Sequence, residues 1–390
     1  MDYKKTILIL SLIILFVGCR KDLMIDPNNI SYTSDVEQFE RVWDGLNTNY
    51  VMWGIDTTDW DRIYDKYHKV FSSSYMSDSI WKEKWEELTS SLIDHHLQIV
   101  LNRPTTGSLF SLFPGRTEVQ KRCYYHPSIN PKDCLDRMSL SGRLTDQEKT
   151  ESFYYGMIDN YIAYLRITKF NITDLMSEMD LNQMNVFDKF KRAASNSQTK
   201  AVIVDLRSNP GGNANDLGIL MSCFVTSPYQ IGYTQEKIGL GRMDLGPHIP
   251  FRVIPYSDSQ KVDCPIIALV DVNSASMAEI SALSIKLLPN GYVVGERTYG
   301  ATCALNPDTY ADQFGTFGYP LDTENMLGVL IMSGHYVYTP KYLFTGVDGT
   351  CYEGYGIEPD KICYFSQSDF DNGLDNQLEC AIQFSLGKAK

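Results

Sequence analysis

Two stretches, Ala201–Asn213 (AVIVDLRSNPGGN) and Ile267–Ile280 (IALVDVNSASMAEI), constrain this chain more than any other feature. Each is a run of apolar, mostly β-branched residues that passes without a break into small turn-forming residues. A continuous apolar run of this kind predicts a strand buried on both faces, as in a parallel sheet covered by helices. The small residues directly after it predict a turn that delivers backbone amides and side chains to a cleft. In the second stretch Pro265–Val272 reads as the strand and Asn273–Ser276 as the break. Met277–Leu288 then carries apolar residues at helical spacing until Pro289. Ser276 is thereby placed at a strand-to-helix turn.

That position suits a nucleophile. The amide of Met277 lies at a helix start, without an intrahelical acceptor and at the positive end of the helix dipole, where it can meet a developing oxyanion. Gly211 and Gly212 let backbone approach a substrate carbonyl closely and are the expected source of a second donor. The plainer alternative is that these glycines only end a strand. Losing one oxyanion donor typically costs about 2.7–4 kcal/mol of transition-state stabilisation.

Taken together, DLRSNPGG and SASMAE resemble the C-terminal processing (tail-specific) peptidase family and its tricorn-core relatives. The resemblance implies an α/β catalytic domain of the crotonase/ClpP-like kind, with Ser276 as nucleophile and Glu279 closing the motif. It covers Ser152–Tyr364 well and Val42–Ile99 loosely. The tail-specific branch pairs its serine with a lysine shortly after a sequence like VVGERTYG, here Val293–Gly300. Ala301 follows that glycine, Thr298–Asp322 contains no lysine, and Lys286 belongs to the helix. The resemblance therefore implies the tricorn-like branch, in which a histidine is the base and a distant glutamate orients it.

LIDHHLQI, Leu92–Ile99, resembles the L-x-D-G-H-T element of that branch and gives His96 as the base. An imidazole with an ordinary pKa of about 6.5 suits general-base work at neutral pH. The structural alternative is a helix-end histidine near the surface. His95 occupies the position of the small residue, which leaves the fourth tetrad member unassigned or passes its role to an imidazole. YEGYGIEPDKI, Tyr352–Ile362, resembles the closing G-x-x-PD element, so Glu353 is the expected orienter and Glu358 its nearest rival. Asp94 reads as structural, bonding the neighbouring backbone. His335, on the strand-like Gly328–Tyr338, is read as a packing residue. Neither a metal site nor a cofactor is expected, because there is no CxxC pair and no histidine pair at helical ligand spacing.

Lys4–Lys5, the apolar run Thr6–Val17 and the FVGC sequence ending at Cys19 have the three-part form of a secretory signal and resemble a bacterial lipoprotein cleavage box. The expectation is an acylated Cys19 anchoring the chain to the outer membrane of the cell envelope, facing periplasm or cell surface. The run is shorter than the ~20 residues that span a bilayer, which argues against an uncleaved anchor. An oxidising compartment permits disulfides; Cys123 and Cys134 flank a proline-containing loop and are candidates, whereas Cys223 and Cys264 read as packed hydrophobes. A net charge of −13 excludes nucleic acid as a preferred partner.

The 390 residues and 43 % apolar content support more than one domain. We read 1–19 as signal, 20–32 as tether, 33–100 as a helical N-terminal cap domain, 101–150 as an irregular connection, and 151–390 as the catalytic domain. All five tryptophans fall between Trp43 and Trp85, which suggests a small separate core. Trp81, Trp85, Leu88 and Leu92 follow helical spacing and predict a helix over Ile80–Ile93 leading to His96. The connection is too short for the PDZ domain that many relatives carry, of roughly eighty residues, so no PDZ domain is expected. The resulting expectation is a membrane-anchored serine peptidase acting on peptides or unfolded proteins. Its rival is a catalytically silent peptide- or glycan-binding lipoprotein on the same fold.

Overall fold

The computed structural model describes residues 34–73, 75–114, 131–256, 258–303, 314–317 and 336–388. At its centre is a seven-stranded sheet. Its strands are β1 (Leu144–Lys149), β2 (Phe153–Ile158), β3 (Ile162–Ile167), β4 (Ala201–Asp205), β5 (Ile266–Val270), β6 (Gly291–Gly295) and β7 (Lys361–Ile362). They lie side by side in chain order. The pairs β1–β2 and β2–β3 are antiparallel, and every pair from β3 to β7 is parallel. Every residue of β4 and β5 is buried, as continuous apolar strands covered on both faces require.

Alternate residues of these strands feed two hydrophobic clusters. Val202, Val204, Ala268 and Val270 face one, shared with α4 (Leu181–Ala194) and α5 (Met277–Lys286). Ala201, Ile203, Ile267 and Leu269 face the other with the C-terminal helix Asn376–Lys388. The strands of the two motif stretches and the helix after Ser276 form where the sequence predicts them.

The N-terminal region folds as α1 (Asp35–Asn49), α2 (Trp60–Phe71) and α3 (Asp78–Thr89). Ser34, Asp59 and Ser77 cap them, each side chain accepting from an amide in the first turn. Trp43 and Trp60 bond reciprocally, each indole N–H donating to the other's carbonyl at 2.8 and 3.1 Å. Trp60, Trp81 and Trp85 are fully buried. Their cluster is continuous with the one beneath α4 and α5, so the tryptophans do not form a separate core.

The stretch 101–150 is more regular than its composition suggests. Strand Gln98–Asn102 pairs antiparallel with Leu109–Leu112 and with Tyr336–Pro340, in a four-stranded sheet completed by Phe314–Phe317. Helix Pro131–Leu140 follows, and β1 joins the central sheet. The sequence of β1, LTDQEK, conceals it: as an edge strand it buries only Leu144 fully, and a register shift interrupts its pairing. A third sheet joins Tyr229–Glu236 to Ile249–Val253 and Tyr342–Gly346. Among the described residues no helix is long and apolar enough to cross a membrane. Cys19, Cys123 and His335 lie outside the described residues.

Candidate active site

The two motif loops follow β4 and β5, neighbours in the sheet, and are knitted together by side chains. Asn209 donates from Nδ2 to the Ile167 carbonyl at 2.9 Å and accepts the Gly211 amide at 2.8 Å. Its carbonyl accepts the Ala275 amide. Asp271 accepts the amide and hydroxyl of Ser208, and Ser274 Oγ donates to the Leu206 carbonyl at 2.8 Å. Asp205 and Arg207 serve the scaffold: Arg207 grips Asp205 beneath it and Asp375 at the start of the C-terminal helix. Burial opposes ionisation of Asp205, but Arg207 and Arg166 outweigh it and hold the carboxyl down at about 2.

Ser276 stands at the turn between β5 and α5 with φ 55° and ψ −118°, a left-handed backbone that costs a residue with a Cβ of order 1–3 kcal/mol. Gly211 is packed directly against it. A Cβ at Gly211 would lie 2.6 Å from Ser276 Cβ and 2.9 Å from Met277 N, and its φ is 96°. Because the Gly211 amide is committed to Asn209, the glycine contributes its shape rather than a donor. The amides of Gly212 and Met277 have no recorded acceptor among the described residues.

Glu279, in the first turn of α5, is fully buried and holds the turn in place. Its Oε2 accepts the Ser276 amide at 3.0 Å and the Ala301 amide at 2.7 Å. Its Oε1 accepts the Gly300 amide at 2.7 Å and the Thr298 hydroxyl at 2.5 Å. Burial pushes the carboxyl up to about 7, against the pull of these donors. The sequence motif contains Glu279, but only the fold shows that it organises both the serine turn and the Thr298–Cys303 loop.

His96 sits in the turn after α3, just before the strand Gln98–Asn102, which anchors it against the C-terminal half of the chain. Its Nδ1 lies 3.7 Å from Glu353 Oε1. Glu353 is buried; its Oε2 accepts the amides of Thr302 and Cys303, both at 2.7 Å, and its Oε1 the amide of His95 at 3.0 Å. Burial opposes its ionisation, but His96 and these amides prevail and hold its carboxyl below the usual range. His95 turns its ring to the Tyr299 carbonyl, 2.9 Å from Nδ1. Since a carbonyl only accepts, that nitrogen carries the proton.

Asp94 accepts the His96 amide at 2.7 Å and the Thr339 hydroxyl at 2.8 Å, fixing the turn that carries the imidazole. Burial and the neighbouring Glu353 charge push its carboxyl up. Donor atoms of Asp94, His96 and Glu353 all lie within 4.8 Å of one another, a spacing that a divalent cation could bridge. The hydrogen bonds already described account for that proximity. Lys286 and Glu358 are occupied elsewhere: Lys286 Nζ pairs with Asp360 at 2.6 Å, and Glu358 accepts from Tyr355.

Residues 161–362 match the model of peptidase family S41. The tricorn protease of Thermoplasma volcanium is 23 % identical over 240 residues, which are 61 % of this chain and 19 % of that protein. The carboxy-terminal processing protease CtpA of Bacillus subtilis is 27 % identical over 167 residues, 43 % of this chain and 32 % of that one. The chain therefore spans less than two thirds of the length of these curated relatives. Among solved structures, a Parabacteroides merdae ATCC 43184 protein superposes with a TM-score of 0.68 at 22 % identity, covering 91 % of this chain and 98 % of that one. Mature CPAF complexed with lactacystin gives 0.61 at 13 % identity, covering 90 % and 97 %. At such identities these two likenesses establish the fold alone. With the family model matching more than half of its length, this chain belongs to peptidase family S41.

Proposed function

We propose that the protein is a serine peptidase that cleaves peptides or unfolded proteins through an acyl-enzyme on Ser276. The observation that carries this reading is the loop Thr298–Cys303. It is bonded on one side to the carboxylate that holds the serine turn, and on the other to the carboxylate beside His96. His96 takes the Ser276 hydroxyl proton as Oγ attacks the scissile carbonyl, then returns it to the leaving amine. Glu353, facing Nδ1, keeps the proton on that nitrogen and stabilises the imidazolium. Its 3.7 Å separation suits a resting site that tightens when substrate binds. The amides of Gly212 and Met277 meet the oxyanion, with Gly211 holding the gap open. Water then enters from the vacated side, His96 removes its proton, and the acyl bond breaks.

The lipoprotein-like sequence around Cys19 supports a chain anchored by acyl groups in the cell envelope, facing periplasm or cell surface. The test of the catalytic reading is to incubate the full chain with an unstructured protein and follow fragments by mass spectrometry, beside Ser276→Ala and His96→Ala. Cleavage by the parent chain alone supports the mechanism. Cleavage that survives in Ser276→Ala defeats it, and a folded parent chain inert on every substrate favours a silent binding protein.

A further inference from the structure

The turn that carries His96 is strapped by a part of the chain that neither motif stretch contains. Tyr50, at the C-terminal end of α1, is fully buried and packs on Trp53, with ring centroids 4.7 Å apart. Its hydroxyl accepts the Asp94 amide at 3.2 Å and donates to Asp56 Oδ2 at 2.8 Å. The same Asp56 oxygen accepts the Ile93 amide at 3.1 Å, while Asp56 Oδ1 accepts the Thr58 amide at 2.8 Å. Thr58 Oγ1 in turn donates to the Ser91 carbonyl at 3.0 Å. Burial, joined by the charges of Asp94 and Asp56, pushes the phenol well above its ordinary value, so it keeps its proton and goes on donating to Asp56.

Asp94 is the link from this strap to the imidazole. Its Oδ1 accepts the His96 amide at 2.7 Å, and its Oδ2 is held by the Thr339 hydroxyl at 2.8 Å. We infer that Tyr50 is a positioning residue for His96: it fixes the backbone of Asp94, whose carboxylate fixes the amide of His96. The N-terminal helices thereby set where the imidazole stands beside Glu353. Phenylalanine at position 50 keeps the ring and its packing but leaves the buried Asp94 amide without its acceptor. A turn freed in this way carries the imidazole out of line, and proton transfer is sensitive to displacements below 1 Å. The consequence for catalysis rests on the reading of His96 as base given above, whereas the contacts themselves do not.

The test compares the full chain with Tyr50→Phe and with Tyr67→Phe as a matched control. Tyr67 is also buried among the N-terminal helices, but its hydroxyl donates to Glu87. Two quantities are read: hydrogen exchange of the amides at 93–97, and the rate of fluorophosphonate labelling at Ser276 over a concentration series. In Tyr50→Phe exchange at 93–97 should be about 10-fold faster, and the maximal labelling rate about 10-fold lower at an unchanged half-saturating concentration. Tyr67→Phe should match the parent chain in both. Parental exchange at 93–97 in Tyr50→Phe overturns the positioning role. Faster exchange with an unchanged labelling rate, or an equal loss of labelling in Tyr67→Phe, overturns its consequence for catalysis. A parent chain that does not label at all counts against the reading of Ser276, and exchange at 93–97 then decides the positioning role by itself.

Discussion

Glu279 and Glu353 accept hydrogen bonds from successive amides of one loop: Gly300 and Ala301 donate to the first, Thr302 and Cys303 to the second. The serine turn and the histidine arise far apart in the sequence and on different elements. Joining both to one short loop converts two separate placements into one. A displacement of either carboxylate must move the loop and, with it, the other half of the site.

Replacing Glu279 by Gln should show this coupling. The amide offers an acceptor on one side only, so at least one pair of donors is orphaned, and kcat/KM should fall about 100-fold through misplacement of Ser276. The pH dependence of stability should change as well. The ordinary carboxyl titrates near 4.5 and the folded one near 7, so folding takes up a proton between those values. This contribution is complete below about pH 4.5 and is lost as pH rises to 7, by up to ~3 kcal/mol. Urea denaturation at pH 5 and pH 8 measures it. Glu279→Gln should show a correspondingly smaller loss over that interval, and identical pH slopes in the two proteins would refute the shift.

The conformation of Ser276 separates two inactive variants. Both Ser276→Ala and Ser276→Gly remove the proposed nucleophile, but only glycine relaxes a φ of 55°. The glycine variant should therefore be the more stable by about 1 kcal/mol. Denaturant midpoints decide it, and an alanine variant that is equally stable would mean the turn is not strained.

At Gly211 the expected effect is steric. Alanine there would meet Ser276 Cβ, the Ala275 carbonyl and Met277 N, all within 2.9 Å, at a φ that disfavours any side chain. Gly211→Ala should lose more than 100-fold in kcat/KM while the far-ultraviolet circular dichroism stays native. Retained activity would show that the two loops separate more easily than their hydrogen bonds imply.

Beneath the site, Asp205 predicts acid sensitivity. Its folded carboxyl is held near 2 against an ordinary 3.8, so its contribution is present above about pH 4 and fades as pH falls toward 2. Asp205→Asn leaves the buried Arg207 with Asp375 as its remaining carboxylate and should cost about 3–5 kcal/mol at pH 7. Chemical denaturation at pH 7 measures it; a cost below ~1 kcal/mol would mean Asp375 suffices.

The buried strands and the motifs were legible because their signals are local. AVIV and IALV are apolar throughout, and the residues that follow them carry their own turn chemistry. The polar edge strand Leu144–Lys149 was hidden because only one of its residues is fully buried, and the strand pairing that positions His96 joins distant parts of the chain. The Cys363–Cys380 pair and the long-range bonds of Asn209 to Ile167 and of Glu279 to Gly300 escaped for the same reason: these partners are neighbours in space alone. His95 illustrates the limit well. Its departure from the family element is visible in the sequence, but its ring's bond to Tyr299 is a fact of the fold.

The central claim, an activated serine at position 276, is tested most directly by labelling the full chain with a fluorophosphonate and locating the adduct by peptide mass spectrometry. The account predicts one adduct, on Ser276, formed at least 100-fold more slowly in His96→Ala and more slowly in Glu353→Gln. Labelling on another serine, or labelling of Ser276 at an unchanged rate in His96→Ala, would contradict it.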